Sequence, residues 1–274
     1  MTGDIKKQTI GIAGCGAMGL PMAKNLNSNG FDVVGFDVKP AVDFGDFAPH
    51  MIETMAEFSA RCDVVISVVR DWLQTLDLCF EDQAIFAQAN YPKMLVISST
   101  LSPRQILLLR DKLPKDVTLI DAPMSGAPYR AQSAELTFMV GGDGDNVAYL
   151  TPLFKAMGKQ VYHLGALSTG MTCKVLNNML AATNVVAVRR MRSCAETLGL
   201  APEKFQEIVS CSSGSNWFGD NFDAVDWAEQ SYAKDNTIGI LEKDMRSMLD
   251  AIQDHPHLIE GGFEKAVIKA LRGL

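Results

Sequence analysis

The feature that most restricts this chain lies near its start. Gly14-Cys15-Gly16-Ala17-Met18-Gly19 is a G-x-G-x-x-G run placed between an apolar stretch and a helix-compatible one. Thr9–Ala13 reads as a buried strand, and the residues after Gly19 to about Asn29 read as a helix. Glycines at this spacing have separate physical jobs. Gly14 permits the tight turn, Gly16 lets the backbone approach a pyrophosphate, and Gly19 packs the helix on the strand. The helix start at Ala17 and Met18 then offers open N–H groups and a positive dipole end to the phosphates. Alone the run is a weak signal, because glycine turns between strands and helices are common. Its context strengthens it, since Asp32–Asp37 reads as the next strand and ends in a carboxylate roughly 20 residues beyond the glycines. Such a carboxylate accepts from both adenosine ribose hydroxyls and repels a 2′-phosphate, which favours NAD over NADP. Lys39 keeps NADP open, because a nearby cation can neutralise a phosphate. The plain alternative is an aspartate that merely ends a strand.

The alternation of short β-branched runs with helical stretches continues. Asp63–Val69, Met94–Ser99 and Val117–Asp121 read as buried strands, and Ser102-Pro103 as the cap and first turn of a helix. Leu136–Val140 and Gln160–Leu164 read as two last strands, separated by a helix that Pro152 starts or kinks. This pattern implies an α/β, Rossmann-type doubly wound parallel sheet. After Gly165 the character changes. Thr169–Leu198 reads as one helix of about 45 Å, closed by Gly199 at its C′ position. Pro202–Cys211, Thr237–Gln253 and Phe263–Leu271 are further helices, with Asp235 or Asn236 capping the second. The expected division is therefore a dinucleotide-binding domain over 1–165 and an all-helical substrate and oligomerisation domain over 166–274.

Composition removes several classes of function. The net charge is −7 and the basic residues are scattered, which disfavours nucleic acid as a partner. The longest apolar runs are too short to span a bilayer, and the first residues carry no secretory signal pattern, so a cytoplasmic location is expected. Six cysteines show no C-x-x-C pair, and no metal is expected. They read as small, mostly buried thiols. His255-Pro256-His257 reads as an exposed loop.

Three later segments carry chemistry. Asp121-Ala122-Pro123-Met124-Ser125-Gly126-Ala127 follows a strand, so its turn lies at the carboxyl edge of the sheet, where ligands bind. Gly165–Asn178 opens the long helix and includes Lys174, while Lys243-Asp244-Met245 lies in a later one. With Gly14–Leu26 and Ser99-Thr100-Leu101-Ser102-Pro103, these segments resemble, in order and spacing, the motifs of the β-hydroxyacid dehydrogenase family, in its 3-hydroxyisobutyrate dehydrogenase-like branch. The resemblance covers about residues 8–250.

The resemblance implies NAD-dependent oxidation or reduction of a three- or four-carbon hydroxy acid. The position of Lys174 matches the family's catalytic acid/base, and that of Asn178 matches an asparagine that orients substrate. Four residues apart, the two share one helix face. A lysine whose pKa is lowered by burial can accept an alcohol proton near neutral pH and return it in reduction. An ordinary solvated lysine is the rival reading. Ser125, Gly126 and Ala127 correspond to the substrate loop, where a hydroxyl and a backbone N–H meet the substrate carboxylate; a simple turn is the alternative. Val69 and Thr100 lie where backbone faces the cofactor, and Lys243 corresponds to positive charge at the nicotinamide end, with a helix-surface lysine paired with nearby acids as the equal alternative. Ser213-Gly214-Ser215-Asn216-Trp217 is similar to a stretch that closes the substrate pocket, although Trp217 and Phe218 are equally read as core. Family analogy also implies a homodimer or homotetramer.

Several residues depart from the pattern. Ala127 replaces a second glycine, and Ser168 replaces the middle glycine before the long helix. Val68-Val69-Arg70 stands where the family strand ends in Met-Leu-Pro, so Arg70 and Asp71 sit where backbone normally faces the cofactor. After about Gln253 nothing matches. Two other functions stay in view. One is an NADPH-dependent semialdehyde or glyoxylate reductase, like tartronate semialdehyde reductase, against which Asp37 argues. The other is a non-catalytic dinucleotide sensor, which has no need of Lys174, Asn178 and Ser125 together.

Overall fold

Five strands rich in Val, Ile and Leu, apolar on both faces, require helices on both sides of a sheet, and the computed structural model, which describes residues 3–274, has that arrangement. β1 (Thr9–Ala13), β2 (Asp32–Phe36), β3 (Val64–Ser67), β4 (Met94–Ile97) and β5 (Thr118–Asp121) form one parallel sheet in the order β2-β1-β3-β4-β5. Alternate side chains serve opposite cores. Ile10, Ile12, Val64, Ile66, Met94 and Val96 pack on one face with Met22 and Leu26 of α1 (Gly19–Ser28). Val65, Leu95 and Ile97 pack on the other. There they meet α2 (Met55–Arg61), α3 (Trp72–Phe80) and α4 (Pro103–Lys112) through Phe58, Leu78, Ile106 and Leu109. Ser102 and Gln105 close a capping box on α4, with Pro103 in its first turn.

The connections from β1 and β3 leave in opposite directions along the sheet, so a crevice opens outside their carboxyl ends. The strands end one or two residues earlier than their apolar runs suggest. Asp37, Val69 and Ser99 thus lie in loops at that edge rather than inside β2, β3 and β4.

The last two expected strands form, but in a separate sheet. β6 (Met124–Ser125) pairs antiparallel with β7 (Leu136–Val140), and β7 pairs parallel with β8 (Gly158–His163). Pro123 has no N–H with which to prolong the first ladder, and an antiparallel bridge between Asp121 and Gly141 joins the two sheets. α5 (Pro128–Gln132) and α6 (Gly144–Met157) lie between these strands in sequence. Pro152 does not start α6. The side chain of Asp143 caps the helix by accepting from the N–H groups of Asp145 and Asn146, and Pro152 sits well inside it.

By compactness the chain divides between Lys174 and Val175, inside the long helix α7 (Thr169–Thr197). Gly199, at φ +85°, follows α7 as expected. The second unit contains the rest of α7 and α8 (Pro202–Ser210), α9 (Trp217–Asp220), α10 (Thr237–Ile252), α11 (Pro256–Ile259) and α12 (Phe263–Arg272). Asn236 caps α10 through Gly239. His255 and His257 flank the start of α11, a short helix where a loop was expected. Pro256 is preset for a first helical turn, which explains the difference.

Glu242 ties the C-terminal helix α12 to α10 through Arg272. Its carboxylate accepts from Arg272 at 2.7 and 3.0 Å, from Tyr232 at 2.7 Å and from Arg246 at 2.8 Å. These partners hold the Glu242 carboxyl down at about 2, with Arg272 the largest cause. Of the six cysteines, Cys15, Cys62 and Cys79 are buried, and burial pushes Cys15 and Cys79 up to about 12. Cys211 is exposed, against expectation, because it directly follows α8 at the surface. Among the described residues no helix is long and apolar enough to cross a membrane.

Candidate active site

The glycine run forms the turn between β1 and α1, and each glycine is explained by a different surrounding. Gly14 has φ +91°, and a Cβ there would stand 3.0 Å from the backbone of Val68 and Val69. A Cβ on Gly19 would collide with the carbonyl oxygen of Gly14. Nothing lies within 4 Å of a Cβ built on Gly16, so the protein's own packing does not require that glycine. Gly16 and Ala17 are exposed, and Met18 is half-buried against the core. No side chain caps α1 at Met18, the Leu20 and Met22 N–H groups donate to the Gly16 and Met18 carbonyls, and Pro21 has no N–H, so an outside anion is left to the turn that precedes the helix.

Asp37 is tied to this turn. Its Oδ2 accepts from the Cys15 N–H at 2.7 Å and its Oδ1 from the Lys39 N–H at 3.1 Å. Asp37, Lys39, Met51 and Glu53 are among the residues lining a cavity of about 310 Å3. Volume and position suit an adenosine at the end of β2. On the neighbouring side, the Ser99 hydroxyl donates to the Val69 carbonyl and joins the loops after β3 and β4. The structure therefore brings Gly14, Gly16, Gly19, Asp37 and Val69 together, with Thr100 beside Ser99. Their donors and acceptors fit a dinucleotide.

Ser125 belongs to β6 opposite Thr137. Gly126, at φ +143°, turns the chain, and a Cβ there would press on Leu136 at 2.7 Å and Arg130 at 3.2 Å. Ala127 precedes Pro128 at the start of α5 without a side-chain cap.

Lys174 and Asn178 lie one turn apart on α7, and both are buried, Lys174 being 8% exposed. Asn178 is oriented from two sides. Its Oδ1 accepts from Asn177 at 3.0 Å, and its Nδ2 donates to Oδ2 of Asp244 at 2.5 Å. Oδ1 of Asp244 pairs with Lys243 at 2.8 Å. Asp244 thus links two sequence candidates, Asn178 and Lys243. Trp217 is 50% exposed at the start of α9, whereas Phe218 is buried and packs on Phe222 and Trp227, so the core role falls to Phe218.

Two acids, Asp244 and Asp121, have tasks in the fold that the sequence does not reveal. The buried carboxyl of Asp121 accepts from the N–H groups of Ser168 and Met171, each at 2.7 Å. Burial pushes Asp121 up to about 6, against the opposite pull of those donors. The only available signal was an acid inside an otherwise apolar strand end. Among the described residues no group of three or more His, Cys, Asp or Glu gathers to hold a metal.

Residues 9–165 match the model of the NAD binding domain of 6-phosphogluconate dehydrogenase, and 168–262 match the NAD-binding domain of NADP-dependent 3-hydroxyisobutyrate dehydrogenase. The chain belongs to the β-hydroxyacid dehydrogenase family. Its first half is thereby an NAD(P)-binding Rossmann domain, and a helical domain follows. It is 32% identical over 222 residues to the mitochondrial 3-hydroxyisobutyrate dehydrogenase of Homo sapiens, covering 80% of this chain and 66% of that one. The chain thus matches just under two thirds of the human protein's length. L-threonate dehydrogenase of Cupriavidus necator is 29% identical over 247 residues, covering 89% of this chain and 83% of that one. The structure of Mycobacterium tuberculosis 3-hydroxyisobutyrate dehydrogenase with L-serine superposes with a TM-score of 0.81 at 26% identity, covering 97% of this chain and 93% of that one.

Proposed function

We propose that this family member is an NAD-preferring dehydrogenase of a three- or four-carbon hydroxy acid, with Lys174 as its proton-transfer residue. The observation that carries the reading is a buried lysine one helical turn from an asparagine whose amide is already oriented by Asp244. A solvated surface lysine has no such setting. The relatives' names support the substrate class, because hydroxyisobutyrate and threonate are both small hydroxy acids.

When bound, NAD supplies the acceptor for the hydride that leaves the alcohol carbon. The chain's own residues do the rest. Open N–H groups at Gly16, Ala17 and Met18 hold the pyrophosphate. Asp37 accepts from the adenosine ribose hydroxyls beside the cavity, and the loops at Val69 and Thr100 position the nicotinamide half. Ser125 and the N–H of Gly126 hold the substrate carboxylate, with the Ala127 methyl narrowing the loop. Lys174 Nζ takes the hydroxyl proton in oxidation and returns it in reduction, while Asn178 orients the substrate oxygen. Lys243, paired with Asp244, supplies positive charge, and Trp217 offers an exposed aromatic face.

The reverse reaction, reduction of a semialdehyde with NADPH, is the second reading, and the exposed Lys39 beside the cavity favours it. Self-association as a homodimer or homotetramer is supported by Leu176, Leu180 and Met191, exposed along one face of α7. Sedimentation of the purified protein tests that point. The activity test is a panel of 3-hydroxyisobutyrate, glycerate and threonate with NAD and NADP, followed by absorbance of the reduced nicotinamide. Cofactor binding with no turnover of any hydroxy acid or semialdehyde would replace the enzyme reading with a dinucleotide sensor.

A further inference from the structure

Asp121 ends β5, and its groups are divided among three elements. Its main chain exchanges hydrogen bonds with Gly141, just after β7, at 3.1 and 2.8 Å. Its Oδ1 accepts from the Ser168 N–H and its Oδ2 from the Met171 N–H. First-turn N–H groups have no partner within their own helix, and a carboxylate satisfies both them and the positive dipole end.

The surroundings are shaped to this carboxylate. A Cβ on Gly141 would stand 2.5 Å from Oδ1. One on Gly170 would stand 2.9 Å from Oδ2 and collide with the Met139 carbonyl oxygen. Ser168 holds φ +80°, a conformation that side chains rarely adopt, and from it donates to Oδ1. Such strain persists only where neighbours over-determine the backbone. Met171, whose N–H is held by Oδ2, precedes Lys174 by three residues, so the two are neighbours along the helix surface.

We propose that Asp121 is the positioning residue for Lys174. Its carboxylate pins the first turn of α7 to the carboxyl edge of the parallel sheet and so sets where the lysine amine stands. The proposal rests on Lys174 being the proton-transfer residue, and it adds a reason why that helix start is built around a buried acid.

The test compares Asp121→Asn, Asp121→Ala and Lys174→Ala, using the fastest substrate among 3-hydroxyisobutyrate, glycerate and threonate. Asparagine keeps the shape but turns an amide donor toward one of the two N–H groups. The expected result for both Asp121 variants is a kcat lower by on the order of 10- to 100-fold, the cost of a small misplacement, with KM and NAD affinity within about threefold. Gly170→Ala displaces the same turn from an intact carboxylate and should give the same split. A lowered Tm with unchanged kcat would reduce Asp121 to a purely structural role and overturn the proposal. Near-normal turnover by Lys174→Ala would instead overturn the lysine reading itself. Amide exchange of the unaltered protein decides the matter if the variants fail to fold. Ser168 and Met171 N–H groups protected like the interior of α7 support the anchor, and exchange at open-chain rates contradicts it.

Discussion

Replacing Asp37 by asparagine separates the two tasks of that carboxylate. The amide oxygen can still accept from the Cys15 N–H, so the tie at 2.7 Å between the glycine turn and the end of β2 survives. What disappears is the charge. For unit charges about 4 Å apart, Coulomb energies run from about 1 kcal/mol in water to about 4 kcal/mol at a protein surface. Asp37 is half-buried, so relief of repulsion against a 2′-phosphate is worth about 1.5 kcal/mol after screening by salt. Hydrogen bonds from the ribose hydroxyls to a neutral oxygen are weaker than those to a carboxylate, and NAD binding loses about 1 kcal/mol. Together the two effects move the NAD-to-NADP ratio of kcat/KM by roughly 50- to 100-fold toward NADP. Initial rates with each coenzyme, at saturating hydroxy acid and fixed ionic strength, measure the ratio directly. A ratio within about twofold of the unaltered protein would show that the carboxylate does not face the ribose.

Ser168→Gly should stabilise the protein. It relieves a left-handed conformation costing about 1–2 kcal/mol, less the extra freedom of glycine in the unfolded chain, for a net gain of about 1 kcal/mol in urea unfolding. A loss of stability would mean that φ +80° is not strained at that site. Glu242→Gln should cost about 2 kcal/mol at neutral pH, because a buried carboxylate shared by Arg272, Arg246 and Tyr232 loses its charge. The Glu242 carboxyl is lower in the folded than in the unfolded protein. Its contribution is therefore complete above about pH 4.5 and lost as the pH falls toward about 2. The stability gap between the two proteins should close over that window, and a gap independent of pH would contradict the assignment. Asp121 has the opposite sign. Its folded value of about 6 lies above the ordinary 3.8, so its contribution declines as pH rises between those values.

The parallel sheet was legible in the sequence because β1, β3 and β4 are apolar on both faces, a pattern open only to strands covered on two sides. The glycine turn was legible because its three glycines answer to local constraints, two of them visible as near-collisions at Gly14 and Gly19. Gly199 and Asn236 were equally local, a C′ position and a cap. Partners distant in sequence were not legible. Nothing near Pro123 announced that β7 and β8 would leave the main sheet, since pairing is decided across the chain. Asp121 and Asp244 read as ordinary acids until the fold brought Met171 to one and Asn178 to the other. The family match runs to residue 262, past Gln253 where the sequence motifs end, and the pairing of Arg272 with Glu242 beyond it is a contact that sequence spacing does not encode. Trp217 and Phe218 show a further limit, since adjacent aromatics on a short helix gave no sign of which one faces the core.

The amine of Lys174 is the point on which the proposed chemistry stands. Single-turnover measurement of nicotinamide reduction by Lys174→Ala, with NAD affinity determined in parallel, tests it without interference from product release. The expected result is a loss of about 100- to 10,000-fold in the rate of reduction with NAD affinity within about twofold. Reduction at close to the unaltered rate would place the proton transfer on another group.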